Sequence, residues 1–315
     1  MKILSVNAGS SSLKFQMYEM PEEKVLISGV FERIGIGNSF YTIKLNGEKI
    51  KKERELSNHE EAVKILTDEL LENKVVSSLD EIEAIGHRMV HGGDKYQKST
   101  IINDEVIRDS EALIELAPIH IPANLTGVRA FQKIIKDATP VAVFDTSFHQ
   151  TLPKEAYIYP VPYEWYEKYG VRKYGFHGTS HKYVSMRMNE ILGRDDTKII
   201  TCHIGSGGSV SAVLNGKSID TSLGFTPNSG IMMGTRSGDI DSSIIPFIVK
   251  EAGLSLSEVD NILNKKSGLL GVSKKYSDSR DIENGIKNGD ELCILAQEIY
   301  VRKIVEYIAK YYVLL

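Results

Sequence analysis

Two cysteines in 315 residues, Cys202 and Cys293, are too few and too far apart for a disulfide scaffold, and no CxxC spacing is present to build a zinc ribbon. A reducing cytoplasm is the expected setting. Positive charge is not in excess: 38 Lys and Arg stand against 42 Asp and Glu. The formal net charge of −4 leaves no broad cationic face for a nucleic-acid backbone. No run approaches about 18 consecutive apolar residues, so no membrane span is expected. The opening "MKILSVNAGSS" turns polar too soon for a secretory apolar segment.

What remains is an ordinary globular composition, long enough for two domains with separate cores. The first 50 residues read as strands: "KILSVN", "SLKFQMY", "KVLISGVFERI" and "FYTIKLNGEKI", the last carrying an Asn46-Gly47 hairpin signal. Helical spacing follows in "HEEAVKILTDELLEN", then a strand in "EIEAIGHRMV", helices over 104–116 and 124–136, and a buried strand "TPVAVFD". Three of the nine prolines and a Tyr/Trp cluster fall in 150–175, which suits a connector. The expected division is therefore 1–150 and 151–315. The second part repeats the opening: "IITCHIGSGGSVSAVL" matches "ILSVNAGSSSLKFQMY" in its strand, Gly/Ser turn and strand. Duplication of one supersecondary unit explains this, and two unrelated hairpins remain the alternative.

The Gly/Ser turns can converge main-chain N–H groups and hydroxyls on an anion, with Lys14 adding charge. A solvated hairpin turn accounts for "NAGSSSLKF" equally well, since it lacks Walker spacing and leads into a strand. Arg88 in "GHRMVHGG" offers a planar fork for a carboxylate or phosphate, or a structural ion pair. Arg236 lies in "GTRSGDID", a loop so rich in small polar residues that a functional role is favoured. Asp145 ends an apolar strand, where a reacting group, a metal ligand or a turn cap would sit. His177 in "YGFHGTSH" precedes a helix that Thr179 or Ser180 would open, and it could meet developing negative charge, cap or pack. Seven of the eight histidines fall in such motifs. Two i, i+4 pairs raise a zinc hydrolase, but no HExxH glutamate accompanies them and glycine follows His91 and His177 directly.

In order, "NAGSSSLKF", "GHRMVHGG", "PANLTG", "VFDTSFHQTLP", "YGFHGTSH", "HIGSGGSV" and "GTRSGDID" closely resemble the motifs of the acetokinase family, along the whole chain. The resemblance implies an α/β fold of duplicated ribonuclease H-like domains, that of the acetate and sugar kinase, heat-shock ATPase and actin superfamily. It implies reversible phosphoryl transfer from ATP to acetate or another short carboxylate, with ATP/ADP as co-substrate and Mg²⁺, or Mn²⁺ in its place. By the same resemblance Asn7, Ser10, Ser12 and Lys14 would lie near phosphates and metal, Asn7 and Asp145 serving the metal. Arg88 and Arg236 would grip the carboxylate and the transferring group; Asp145 would be catalytic; His177 would stabilise the transition state with His120 nearby. Val90, Ile119, Phe176 and Pro227 would form the methyl pocket. His203, Gly205, Ser206, Gly207 and Gly208 would approach the ATP phosphates, and Asp278, Ser279 and Arg280 the adenosine. A homodimer is also implied.

Three positions depart from the family pattern: Ser206 for Asn, Ile121 for Asn, and Ser279 for an aromatic, each removing a polar or stacking group near the expected site. The family also continues past the helix ending "YYVLL" into a strand, a Gly-rich turn and a glutamate linked to magnesium. A shortened acetokinase chain is the expectation, with an inactive nucleotide-binding relative as the alternative.

Overall fold

The computed structural model describes residues 1–118 and 120–315 in two compact units, Met1–Ser147 and Phe148–Leu315. The first unit is organised by one sheet. Its strands are β1 (Lys2–Ala8), β2 (Ser12–Glu19), β3 (Lys24–Glu32), β4 (Phe40–Leu45), β5 (Glu48–Glu53), β6 (Ile82–Met89), β7 (Thr100–Ile101) and β8 (Thr139–Phe144). They lie in the order β5-β4-β3-β2-β1-β6-β8-β7. From β5 to β1 the pairing is antiparallel, and β1, β6 and β8 run parallel. Parallel neighbours need crossovers, which α1 (His59–Glu72) and α3 (His120–Ile134) supply. Alternation in β2 buries Leu13, Phe15 and Met17 and leaves Lys14 exposed. These side chains join Leu4, Val6, Phe31, Leu66 and Phe131 in the main core of the unit.

Asn58 caps α1 by accepting from the Glu61 amide at 3.0 Å. Gly127 in α3 is required by close approach, because a Cβ there would stand 2.6 Å from the Ala8 methyl group. The helix expected over 104–116 is shorter. Helix α2 (Asp104–Ala112) ends at Leu113, and Ile114–Leu116 tightens into a 3-10 turn. Helix α3 starts at His120, four residues before the expected start at 124.

The second unit contains α4 (Lys154–Tyr157), α5 (Glu164–Tyr169), α6 (Gly178–Leu192), β9 (Lys198–Ile204), β10 (Gly208–Leu214), β11 (Lys217–Thr221), α7 (Ile244–Ala252), α8 (Leu256–Lys265), α9 (Gly268–Ser273), α10 (Ser279–Lys287) and α11 (Glu291–Leu314). The segment read as a connector thus carries two short helices. Strands β11-β10-β9 form an antiparallel sheet, and β9–β10 repeats the strand, Gly/Ser turn and strand of β1–β2. Helix α11 buries Tyr311 against Val210, Ala212 and Ile231. Further along, its Cys293 and Ala296 pack with Met232, Leu269 and Ile282. Among the described residues no helix is long and apolar enough to cross a membrane.

Candidate active site

In the first unit the sheet brings the ends of three strands together. Arg88, next to last in β6, donates from Nε to Asp145 Oδ1 at 3.0 Å and from Nη2 to Asp145 Oδ2 at 2.6 Å. Its Nη1 reaches Asn7 Oδ1, on β1, at 3.3 Å. Asp145 directly follows β8, so parallel register alone aligns these three residues. Burial pulls the Arg88 pKa down, but hydrogen bonding and charge from Asp145 outweigh it and leave it above its ordinary value. The carboxylate side chain is 3% exposed and the arginine side chain 41% exposed, so the pair has a wet guanidinium and a dry counter-ion.

Two residues that the sequence reading left unassigned hold this arrangement. Asn124, in "PANLTG", donates from Nδ2 to the Ala8 carbonyl at 2.8 Å and accepts from the Val90 amide at 3.0 Å, tying the end of β1 to the residues after β6. His59, the one histidine outside the motifs, meets the Gly9 carbonyl through Nε2 at 2.7 Å and clamps the turn that carries Ser10. That turn is closed by the Gly9 amide donating to the Ser12 carbonyl at 2.8 Å. Lys14 faces solvent opposite Asn7 in the hairpin register. Val90 is buried, His120 opens α3, and Ile119 lies outside the described residues. His87 and His91 are both buried, and desolvation lowers each pKa to about 4.

The second unit assembles histidines. His177 stands before α6 with φ of 56°, and Gly178, not Thr179 or Ser180, is the first helical residue. A left-handed conformation at a non-glycine residue marks a backbone held by its surroundings. Its ring stacks on His203, centroids 4.1 Å apart, and its Nδ1 meets Ser209 Oγ at 2.8 Å. The same hydroxyl lies 2.7 Å from His181 Nε2, while His181 Nδ1 lies 2.7 Å from Thr201 Oγ1. His149 is fixed between Ser218 Oγ at 2.8 Å and the Phe176 carbonyl at 2.9 Å. Desolvation lowers His149 to about 4; desolvation, then repulsion from His149, His177 and His203, lowers His181 to about 2. Both rings are neutral near pH 7.

Arg236 donates from Nη1 to the Pro227 carbonyl at 3.1 Å and approaches Met233 Sδ at 3.8 Å. A Cβ on Gly207 would lie 3.4 Å from Arg236 Nη1 and 3.8 Å from His177 Nε2, so the turn after β9 runs beside both side chains. The Gly234 amide donates to the Ser206 carbonyl at 2.9 Å, and a Cβ on Gly234 would meet the Ser277 carbonyl at 2.8 Å. Glycine at 234 therefore lets "HIGSGG" and "YSDSRD" share one backbone junction. Asp278 caps α10 through the Arg280 amide at 2.9 Å and pairs with Arg280 Nη2 at 2.6 Å. Hydrogen bonding from the Arg280 side chain, then from its amide, lowers the Asp278 pKa to about 2. Ser279 begins the helix, Phe176 is buried and Pro227 half-buried. Among the described residues no three His, Cys, Asp or Glu side chains are grouped to hold a metal ion.

Comparison with known proteins adds relatives of the same architecture. The chain is 53% identical over 312 residues to acetate kinase 2 of Listeria monocytogenes serotype 4b, covering 98% of this chain and 79% of the relative. It is 54% identical over 312 residues to the acetate kinase of Bacillus cytotoxicus, with the same coverage, 98% and 79%. The crystal structure of Porphyromonas gingivalis acetate kinase superposes with a TM-score of 0.92 at 48% identity, over 98% of this chain and 79% of that one. A propionate kinase from Francisella tularensis gives 0.95 at 43% identity, over 100% and 80%. The fold is accordingly the duplicated ribonuclease H-like α/β fold of the acetate and sugar kinase, heat-shock ATPase and actin superfamily. Residues 2–315 match the Acetokinase family, and the chain belongs to that family of phosphotransferases with a carboxyl group as acceptor.

Proposed function

We propose that this chain transfers the γ-phosphoryl group of ATP to acetate, reversibly and by direct in-line displacement, giving acetyl phosphate and ADP. The observation that carries the reading is Arg88, gripped by Asp145 along its Nε/Nη2 edge with its Nη1 on Asn7. The two bonds to Asp145 orient the fork, and the longer one to Asn7 is the edge a substrate oxygen would take over.

A carboxylic acid with a pKa of roughly 4 to 5 is ionised near pH 7, so the nucleophile needs positioning and no general base. The obstacle is repulsion between the carboxylate and a phosphoryl group, which Arg88, Arg236 and His177 would offset. Removing one preorganised donor of this kind costs about 3 kcal/mol, roughly 10²-fold in rate. Magnesium takes one or two carboxylates together with substrate phosphates, so Asp145 with the Asn7 amide oxygen fits a metal that arrives on the nucleotide. Bound there, Mg²⁺ or Mn²⁺ would neutralise phosphate charge. Val90, Phe176, Pro227 and Ile119 would enclose the methyl group, with His120 beside them. Ser10, Ser12, Lys14, His203 and the 205–208 turn would meet the phosphates, and Asp278, Ser279 and Arg280 the adenosine. The chain would act in the cytoplasm as a homodimer.

Incubating the purified chain with ATP, Mg²⁺ and acetate, beside a nucleotide-binding assay, tests this. Acetyl phosphate is the expected product; ATP binding without product would replace the kinase reading with that of a nucleotide-binding relative. The Francisella propionate kinase favours a second substrate, one methylene longer. Such a difference is worth about 1–3 kcal/mol, and a kcat/KM higher for propionate than for acetate would reverse the assignment.

A further inference from the structure

Ser209 Oγ touches two imidazoles at once. Its Oγ lies 2.8 Å from His177 Nδ1 and 2.7 Å from His181 Nε2. A hydroxyl has one hydrogen, so it can donate to one ring and must accept from the other. The direction is set further along. Thr201 Oγ1 contacts the Ser211 carbonyl at 3.5 Å, and a carbonyl only accepts, so the threonine hydrogen points there. Thr201 Oγ1 then accepts from His181 Nδ1–H, His181 Nε2 becomes the acceptor for Ser209 O–H, and Ser209 Oγ accepts from His177 Nδ1–H. All three inner groups are buried: Thr201 is 3% exposed, His181 1% and Ser209 0%. Water is thereby kept from replacing any of them.

We propose that Ser209, backed by His181 and Thr201, is a positioning residue that fixes the ring plane of His177 and holds its neutral form as the Nδ1–H tautomer. Neutral His177 then presents a lone pair at Nε2, on the side where Gly207 runs beside Arg236. It becomes a donor toward an anion there only as the imidazolium, with both nitrogens protonated. Among the groups facing His177 are His203 from β9, His181 from α6 with His149 behind it, and Arg236 from the loop after β11, with the Ser209 hydroxyl from β10. The arrival of an anion would favour that second proton. This inference deepens the role given to His177 above and rests on it for its catalytic consequence, but not for the tautomer.

Long-range ¹H–¹⁵N spectra of the ¹⁵N-labelled full chain, with the His177 ring assigned through His177→Gln, read the tautomer directly. The wild type should show Nδ1–H at neutral pH. Ser209→Ala should give a mixture of tautomers and lower kcat by roughly tenfold or more, with KM for ATP within about twofold. Thr201→Val removes the polarity-setting hydroxyl at constant shape, and should produce the same mixture if Ser209→Ala fails to fold. An Nε2–H tautomer in the wild type, or an unchanged tautomer and kcat in the folded variants, would overturn the proposal. A wild type with Nδ1–H that forms no acetyl phosphate would sink the kinase reading and leave the tautomer relay standing.

Discussion

In the first unit the Gly/Ser turn is clamped by side chains: His59 holds the Gly9 carbonyl and Asn124 holds Ala8 and Val90. In the second unit the corresponding turn is clamped by backbone. Ser206 bonds to Gly234, and glycines 230, 234, 238 and 268 are packed so closely that a Cβ on any of them would stand within 3.0 Å of a carbonyl oxygen. One supersecondary unit has thus been stabilised twice by different means. The turn of the first unit should loosen when an imidazole or an amide side chain is removed, and that of the second when a methyl group is added.

The largest expected effect tests the charge side. Arg88→Ala should cut kcat by about 10²-fold or more while circular dichroism stays native, and Arg88→Lys should not restore it, because an ammonium cannot hold Asp145 and a substrate oxygen through one planar fork. Arg236→Ala should cost a similar factor, since its place beside Gly207 and His177 suits the same chemistry. Turnover within tenfold of wild type in either folded variant would remove that arginine from the mechanism.

Glycine substitutions sharpen the contrast on the shape side. Gly268 has φ of +62°, and a Cβ there would stand 2.0 Å from the Met233 carbonyl and 2.7 Å from that of Arg236. Gly268→Ala should therefore lower Tm, at a cost of about 1–3 kcal/mol, and reduce kcat by displacing the arginine loop. Gly127→Ala in α3 meets only the Ala8 methyl, at 2.6 Å. Adding Ala8→Gly should recover most of that loss, whereas no side-chain deletion can rescue Gly268→Ala. Thermal melts of the single and double variants decide this; failure of the Ala8→Gly rescue would mean that α3 is held off β1 by something else.

Much of this is legible in the sequence because motifs with fixed chemistry sit at the ends of strands that alternation makes easy to read. Arg88 and Asp145 could be nominated from "GHRMV" and "VAVFD", but their mutual grip depends on the parallel register of β6 and β8, which strand patterns leave unspecified. The break after Ala112 and the early start of α3 escaped periodicity, since Leu113, Ile114 and Leu116 look equally helical in either state. His59 carries no role legible in the sequence, because its signal, an imidazole at the start of a helix, becomes meaningful only once the Gly9 carbonyl is beside it. Ser209 stands inside the motif "HIGSGGSV" with no role of its own assigned by the sequence. Its two histidine partners lie 28 and 32 residues away and could not be paired from spacing.

The smallest effect concerns acid stability, where the two units should behave alike. Each buries two neutral imidazoles: His87 and His91, both lowered to about 4, and His149 and His181, lowered to about 4 and about 2. In the unfolded chain such rings titrate near 6.5, so between about pH 6.5 and 4 the unfolded state binds more protons than the folded one. Stability from these rings is therefore present above pH 6.5 and is lost as pH falls through that window, at about 1–2 kcal/mol per ring by pH 5. His87 offers the cleanest dissection, because it packs edge-on against Phe131 and its buried Nε2 has no hydrogen-bond partner among the described residues. His87→Phe should leave Tm nearly unchanged at pH 7.5 and raise it relative to wild type at pH 5. An equal acid slope in the two proteins would show that His87 is already open to protons in the folded state, and that desolvation in the first unit is weaker than its packing implies.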